Sequence, residues 1–334
     1  MIADPIAEII RAKVFLAPMA GVTDIPFRLI AQEYGCRFSF TEMIDVNGIA
    51  YNNKKTVRML DKIPSLYTPA VQIVGVDEKN IIKAALFCQE QGYRLLEFNA
   101  ACPVKKIIKQ GKGAALLKDL PRLKNIISNL VKELSVPVTV KIRSGWNDKN
   151  INCVEVAQTI ARAGASAICL HPRTREQMYR GKADHRLTAA VKAAVGIPVF
   201  ASGDIYNPSD VNRVRQETKC DAVAVARGAL GRPWLFSQIY QSLSGRKTAF
   251  DPSWDKIKTI IEHHLLLSVK FYGEKRGLLR MQKSILWYLK KYKNKQLIMD
   301  KYRKLSYPGQ FRIFLENISL INNKNLSITE SRPG

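Results

Sequence analysis

Eight short runs of apolar and β-branched residues recur along this chain, separated by longer stretches with helical period. That alternation limits the fold more than any single motif does. The runs are Val14–Ala17, Phe38–Thr41, Ala70–Val74, Leu95–Phe98, Val138–Lys141, Ala167–Leu170, Pro198–Ala201 and Ala222–Ala226. Helices are predicted over Ile25–Tyr34, Glu78–Gln91, Leu120–Leu134, Val154–Ala163, Leu187–Ala194 and Pro208–Thr218. Strands that alternate with helices build a parallel sheet. Eight such units are the count of a TIM (β/α)8 barrel, an α/β fold. An open doubly wound sheet would place a G-x-G-x-x-G turn after its first strand, and none is there.

The residues that follow each run are polar, charged or glycine. In order they are Pro18-Met19-Ala20, Glu42, Gln72, Asn99 to Cys102, Lys141-Ile142-Arg143, His171, Ser202-Gly203-Asp204 and Arg227-Gly228. A barrel builds its site on the face where the strands end, so eight such ends in register predict one functional mouth. Gly203 and Gly228 each stand beside the start of a helix and leave backbone N–H groups free for an anion, with Arg227 at hand for a charge-assisted contact. Together they suggest a phosphorylated cofactor; either glycine alone would only permit a tight turn.

Cys102 lies just beyond the fourth run in EFNAACPVKKIIKQGKG, on a loop stiffened by Pro103 and surrounded by Lys105, Lys106, Lys109 and Lys112. A buried structural cysteine would not choose such neighbours, whereas reactive side chains sit on loops held by a rigid scaffold. The lysines should favour the thiolate, unless they point outward.

Charge supplies the partner. The chain carries 53 Lys+Arg against 28 Asp+Glu, a formal net charge of +25 over 334 residues. Residues 251–334 hold 17 Lys+Arg and 7 Asp+Glu, which makes them about twice as basic per residue as the rest. Such a field suits nucleic acid. Six scattered cysteines without metal spacing point to a reducing cytoplasm and no metal. No signal-peptide core or eighteen-residue apolar run is present, so no membrane association is expected. The predicted organisation is a barrel over 1–243, a linker over 244–253, a basic all-helical domain over 254–321 with interleaved aromatics, and a flexible tail over 322–334. His263 and His264 are neighbours on a helix and should point apart, which excludes a shared metal. No obligate protein partner is evident, and a monomer is expected.

The residues resemble those of the tRNA-dihydrouridine synthases, most closely the bacterial B-type branch. The likeness runs through LAPMAGVTDIPFR, VQIVG, EFNAACPVKK, VTVKIRSGW, LHPRTR, ASGDI and ARGALGRPW, and continues in FYGEKRGLLRMQKSILWYLK. It implies a barrel that holds FMN, NADPH as reductant, and a helical domain that grips tRNA. On that resemblance Pro18, Met19, Ala20, Gln72, Lys141, His171, Ser202, Gly203, Asp204, Ala226 and Arg227 hold the cofactor. Cys102 is the catalytic acid, and Asn99, Lys105, Lys106, Arg143, Arg173 and Arg175 meet the RNA. Ala101, Ser202 and Ala226 depart from the family's glycine, asparagine and glycine, which raises the expectation of weaker FMN binding. Two alternatives stay open at this point: a flavin reductase of a free pyrimidine, and an RNA-binding protein with a vestigial flavin site.

Overall fold

The computed structural model describes residues 4–67, 69–249, 251–290, 295–305 and 307–323. Eight parallel strands form one sheet: β1 (Val14–Leu16), β2 (Phe40–Asp45), β3 (Ala70–Val74), β4 (Leu95–Ala100), β5 (Val138–Arg143), β6 (Ala167–His171), β7 (Val199–Ser202) and β8 (Ala222–Val225). Their order is β1-β8-β7-β6-β5-β4-β3-β2. A parallel bridge between Leu16 and Ser39, with the Leu16 N–H donating to the Phe38 carbonyl at 3.0 Å, brings the two edges together into a barrel. Nearly every strand residue is buried, because helices cover the outside and side chains fill the inside.

The predicted strands are all present: β4, β5 and β6 run one or two residues further than expected, β1 and β8 stop one residue short, and β7 is displaced by one. The extensions are Asn99, Ala100, Ile142, Arg143 and His171; Ala100 and Ile142 join the apolar core, while Asn99, Arg143 and His171 are polar residues buried at the mouth. The second strand is shifted, to Phe40–Asp45 from the expected 38–41. Its polar residues Thr41 and Glu42 are buried, so apolar content alone misplaced it. The crossover from β2 to β3 is also not one helix but three short pieces, Val46–Ala50, Lys54–Val57 and the 3-10 turn Arg58–Leu60.

The lower end of the barrel is closed by a helix that the strand–helix count did not include, Pro5–Ala12. Asp4 caps it by accepting from the Ile6 N–H at 3.0 Å, and Pro5 opens its first turn. Ile6 and Ile9 then join Phe15, Phe38, Phe40 and Phe200 in one buried cluster. Phe15 packs against both Phe40 and Phe200 with ring centroids 5.6 Å apart. Each ring so buried is worth about 2–3 kcal/mol relative to exposure.

Beyond the barrel run four helices, Trp254–Tyr272, Glu274–Tyr288, Lys295–Tyr302 and Gln310–Asn323. Ile260, Ile261, Leu265, Met281, Ile285, Phe311 and Leu315 form their core, which Ile30 and Trp234 from the barrel complete. The first two helices cross closely because Gly277 has no Cβ; one placed there would lie 2.7 Å from the Val269 Cα. His263 faces Glu33 while His264 is buried beside Tyr288, so the pair does point apart. The expected tail over 322–334 and the lysine face of Lys291 and Lys293 lie largely outside the described residues.

Two further contacts fix the docking of the helices. Asp24, which also caps the helix Ile25–Glu33, accepts from Tyr272 Oη at 3.1 Å and from Arg280 at 2.9 Å. Gly231, at φ +66°, lies so near the backbone of Trp287 that an added Cβ would meet it at 2.3 Å. Gly231→Ala is therefore expected to cost about 1–3 kcal/mol, the usual range for overpacking. Thermal denaturation would read the loss, and limited proteolysis should release the helices after residue 254 earlier than in the wild type.

Candidate active site

Where the strands end, β3 to β6 turn a ladder of polar side chains inward. Glu97 on β4 accepts from Gln72 Nε2 on β3 at 2.5 Å, and the Gln72 carbonyl accepts from Asn99 Nδ2 at 2.9 Å. Asn99 in turn uses its own Oδ1 to accept from the backbone N–H groups of Ala101 and Cys102, each at 2.9 Å. From the other side, Arg143 Nε donates to the Ala101 carbonyl at 2.8 Å and the Ala114 N–H donates to the Cys102 carbonyl at 3.1 Å. Gly113, at φ +61°, allows the close approach: a Cβ there would stand 2.7 Å from the Cys102 oxygen. The cysteine loop is thus fixed at every backbone group that flanks the sulfur.

The thiol itself is half-buried. Burial pushes its pKa up, and the Val104 N–H and Arg143 only partly oppose this. Lys105 and Lys106 are exposed and contribute nothing to the shift, while Lys112 is buried and paired with Asp45 at 2.7 Å. Lys105 and Lys106 point outward, and the sulfur keeps its proton at neutral pH.

Deeper in the mouth, Lys141 on β5 reaches the Cys169 sulfur at 3.2 Å. Burial works against its charge, but Cys169 and Glu97 outweigh burial and its pKa is raised. His171 is held well below its ordinary value by burial first and then by Arg143, Lys141, Arg173 and Arg227, so its imidazole is neutral. Its Nε2 faces Arg173 NH1 at 3.2 Å. A guanidinium can only donate, which leaves the imidazole proton on Nδ1.

Lys141 and His171 line a cleft with Pro18, Met19, Tyr179, Ser202, Gly203, Asp204, Ala226, Arg227 and Gly228. Its empty space, counted to the open side, is about 620 Å³. Among the described residues, the N–H groups of Gly203, Asp204, Arg227 and Gly228 donate to no protein carbonyl. With the Arg227 guanidinium beside them they form an anion cradle. The Asp204 carboxylate does not face an anion: it accepts from Arg173 at 2.7 Å and from Arg227 at 3.1 Å, and so aims the arginine.

Several predicted residues stand elsewhere than expected. Arg143 and Arg173 are buried, at 2% and 1% exposure, rather than offered to RNA at the rim. Arg143 braces the Cys102 loop and also donates to the carbonyls of Thr174 and Met178 at 3.0 and 2.8 Å. Arg173 is consumed by Arg180, Gly181 and Asp204. Asn99 is buried beneath the cysteine loop, and Arg175 lies over the Trp146 ring at 4.9 Å. Gln72 is buried, tied at one end to Glu97 and at the other to Asn99, and does not line that cleft. Ala20 is exposed. Ala101 and Ala226 do not need a glycine's freedom: Ala226 sits at φ −115°, and Ala101 is not among the positive-φ residues.

Sequence reasoning missed a second, basic cleft where the barrel meets the C-terminal helices. Lys54, Lys55, Arg58, Arg276, Phe271 and Tyr272 line it, above Asp24 and Glu42. The lysines come from the fragmented β2–β3 crossover, more than 200 positions from Arg276, so no local motif announces the cleft. Tyr179 was also missed. It stands half-exposed over the mouth, with the Arg227 guanidinium 5.1 Å from its ring. Among the described residues no cluster fit to hold a metal occurs, and no helix is long and apolar enough to cross a membrane.

A family model described as dihydrouridine synthase (Dus) matches residues 15–324. The tRNA-dihydrouridine synthase B of Pasteurella multocida (strain Pm70) is 34% identical over 324 residues, covering 96% of this chain and 98% of that protein. The enzyme of the same name from Pseudomonas aeruginosa is 37% identical over 277 residues, 83% of each chain. Among solved structures, a 2-naphthoyl-CoA reductase complex superposes with a TM-score of 0.55 at 11% identity, over 70% of this chain and 50% of that one. Histamine dehydrogenase from Rhizobium sp. 4-9 gives 0.53 at 12%, over 77% and 49%. This chain spans about half the length of those two structures, and the likeness to them is one of fold.

A raised thiol pKa fixes the sign of a simple test. Alkylation of Cys102 by iodoacetamide requires the thiolate, so its rate should rise with a midpoint above that of a free cysteine. Lys105→Ala with Lys106→Ala should leave that midpoint in place; a midpoint below the free thiol's would show that the lysines control the sulfur after all.

Proposed function

The chain belongs to the dihydrouridine synthase family, and on that premise we propose that it reduces the 5,6 double bond of uridines in tRNA. FMN is the flavin, NADPH the reductant, and Cys102 the proton donor. The observation that carries the reading is a half-buried thiol, its pKa pushed up by burial, held on a braced loop at the same barrel mouth as a cleft lined with donors for an anion.

The cleft fits a flavin mononucleotide. The unpartnered N–H groups of Gly203, Asp204, Arg227 and Gly228, with Arg227, suit a dianionic phosphate. Lys141, buried and cationic, suits a ring edge that collects negative charge, and the neutral His171 has its Nδ1–H to donate. Bound and reduced, FMN supplies a hydride to uracil carbon 6. Carbon 5 then takes a proton, and Cys102 is the group placed to give it as a general acid.

A uridine stacked inside folded RNA has to be turned out to reach this mouth. The basic, aromatic-lined cleft of Lys54, Lys55, Arg58, Phe271, Tyr272 and Arg276 supports a grip on the surrounding backbone. Lys105 and Lys106, exposed beside Cys102, extend that grip to the mouth. The B-type relatives are the nearest guide to the substrate, and the cytoplasm, where tRNA is processed, is the proposed compartment.

Cys102→Ala should keep FMN and tRNA binding but lose turnover by about 10²–10⁴-fold, the contribution typical of a general acid. Dihydrouridine formed at the wild-type rate would remove Cys102 from the reaction. Lys54→Ala with Lys55→Ala should weaken tRNA binding and flatten its salt dependence by about one unit of slope per lost phosphate contact, with FMN content unchanged. Reduction of free uridine by the wild type as fast as of tRNA would point instead to a small-molecule reductase.

A further inference from the structure

We propose that His185 is a positioning residue for the anion cradle, because it holds the carbonyl of the same peptide whose N–H the cradle offers. The inference rests on the reading of that cradle as the seat of a flavin phosphate. His185 opens the helix His185–Ala194, which follows the loop after β6. Its ring is buried, and its Nε2 lies 3.1 Å from the Gly203 carbonyl in the turn after β7. A carbonyl can only accept, so Nε2 carries the proton and donates. Burial is the largest influence on the imidazole and holds its pKa below the ordinary value. The ring is therefore neutral, and Nδ1 is left to accept from Thr188 Oγ1, 3.5 Å away.

The bond matters because of the peptide on which it falls. Among the described residues every peptide is trans, and a trans peptide points its carbonyl and its N–H in opposite directions. Gly203 and Asp204 line the cleft, and His185 does not. The Gly203 carbonyl is drawn back toward the helix, so the Asp204 N–H on the same plane turns toward the cleft, where it has no protein acceptor. The turn would not keep this direction unaided. Asp204 stands at φ +52° after Gly203 at φ +112°, and a residue with a Cβ is strained in that region. Half a turn of the peptide would return Asp204 to a negative φ and aim a carbonyl oxygen at the anion instead. Arg173, Arg227 and the Ala183 N–H hold the Asp204 carboxylate, but those bonds fix the side chain and not the peptide that precedes it.

Flavin binding separates this role from a general one in packing. The full chain, freed of flavin, is titrated with FMN and with riboflavin, which lacks the phosphate, and quenching of flavin fluorescence gives each Kd. His185→Phe fills the place of the ring without a donor. It should weaken FMN about tenfold, as the loss of one hydrogen bond behind a charged contact does, and leave riboflavin within about twofold. His185→Gln can return an N–H to the carbonyl and should keep FMN within about threefold of wild type. Unchanged FMN binding in His185→Phe, an equal loss of FMN and riboflavin, or a His185→Gln chain as weak as His185→Phe would overturn the proposal. If a melting curve shows that His185→Phe does not fold, His185→Asn takes its place: its amide stops short of the carbonyl and should give the same selective loss. A wild type that binds riboflavin as tightly as FMN would overturn the phosphate reading itself, a result distinct from any seen only in the variants.

Discussion

The backbone bond from the Leu16 N–H to the Phe38 carbonyl turns an eight-stranded ribbon into a ring. Without that closure the ends of β1 and β2 would be edges, and Met19, Gly21 and Glu42 would not lie across from Lys141 and His171. With it, side chains spread over more than 200 positions of sequence meet at one mouth. The Gly21 N–H donating to Glu42 at 2.5 Å is a direct product of that seam. The polar ladder of Gln72, Glu97, Asn99 and Lys141 depends on it too, since a parallel barrel alone places alternate residues of neighbouring strands at one height inside.

Within this ring, buried cations divide into those that build and those that bind. Arg143 and Arg173 are enclosed and spend their donors on loop carbonyls and on Asp204. Enclosing a guanidinium is costly unless its hydrogen bonds are met, and here they fix the loops after β4 and β6 against each other. Arg227 is partly exposed and is aimed by the same Asp204. The exposed lysines remain outside the dry interior, which explains how a cysteine in so basic a stretch retains its proton.

The period of the chain made the barrel and most strand starts readable, because apolar alternation reflects burial directly. The same logic found the mouth, since polar residues at strand ends have few other reasons to recur. It failed where burial and polarity part company. Thr41 and Glu42 are polar yet buried in β2, and Arg143 and Arg173 look like surface charges but face inward. The basic cleft escaped because Lys54 and Arg276 become neighbours only after the C-terminal helices dock. The helix Pro5–Ala12 carries a cap, a proline and paired isoleucines that could have announced it.

Asp24 holds two offices at once: it starts the helix after the Met19–Thr23 turn and receives Tyr272 and Arg280 from the far end of the chain. Ile30 and Trp234 likewise belong to the barrel by sequence and to the C-terminal core by packing. Modularity is therefore limited. A barrel cut free near residue 250 would leave Asp24 without Tyr272 and Arg280 and would uncover Ile30 and Trp234, so the two parts of this chain are best regarded as one inheritance that can be exchanged only whole.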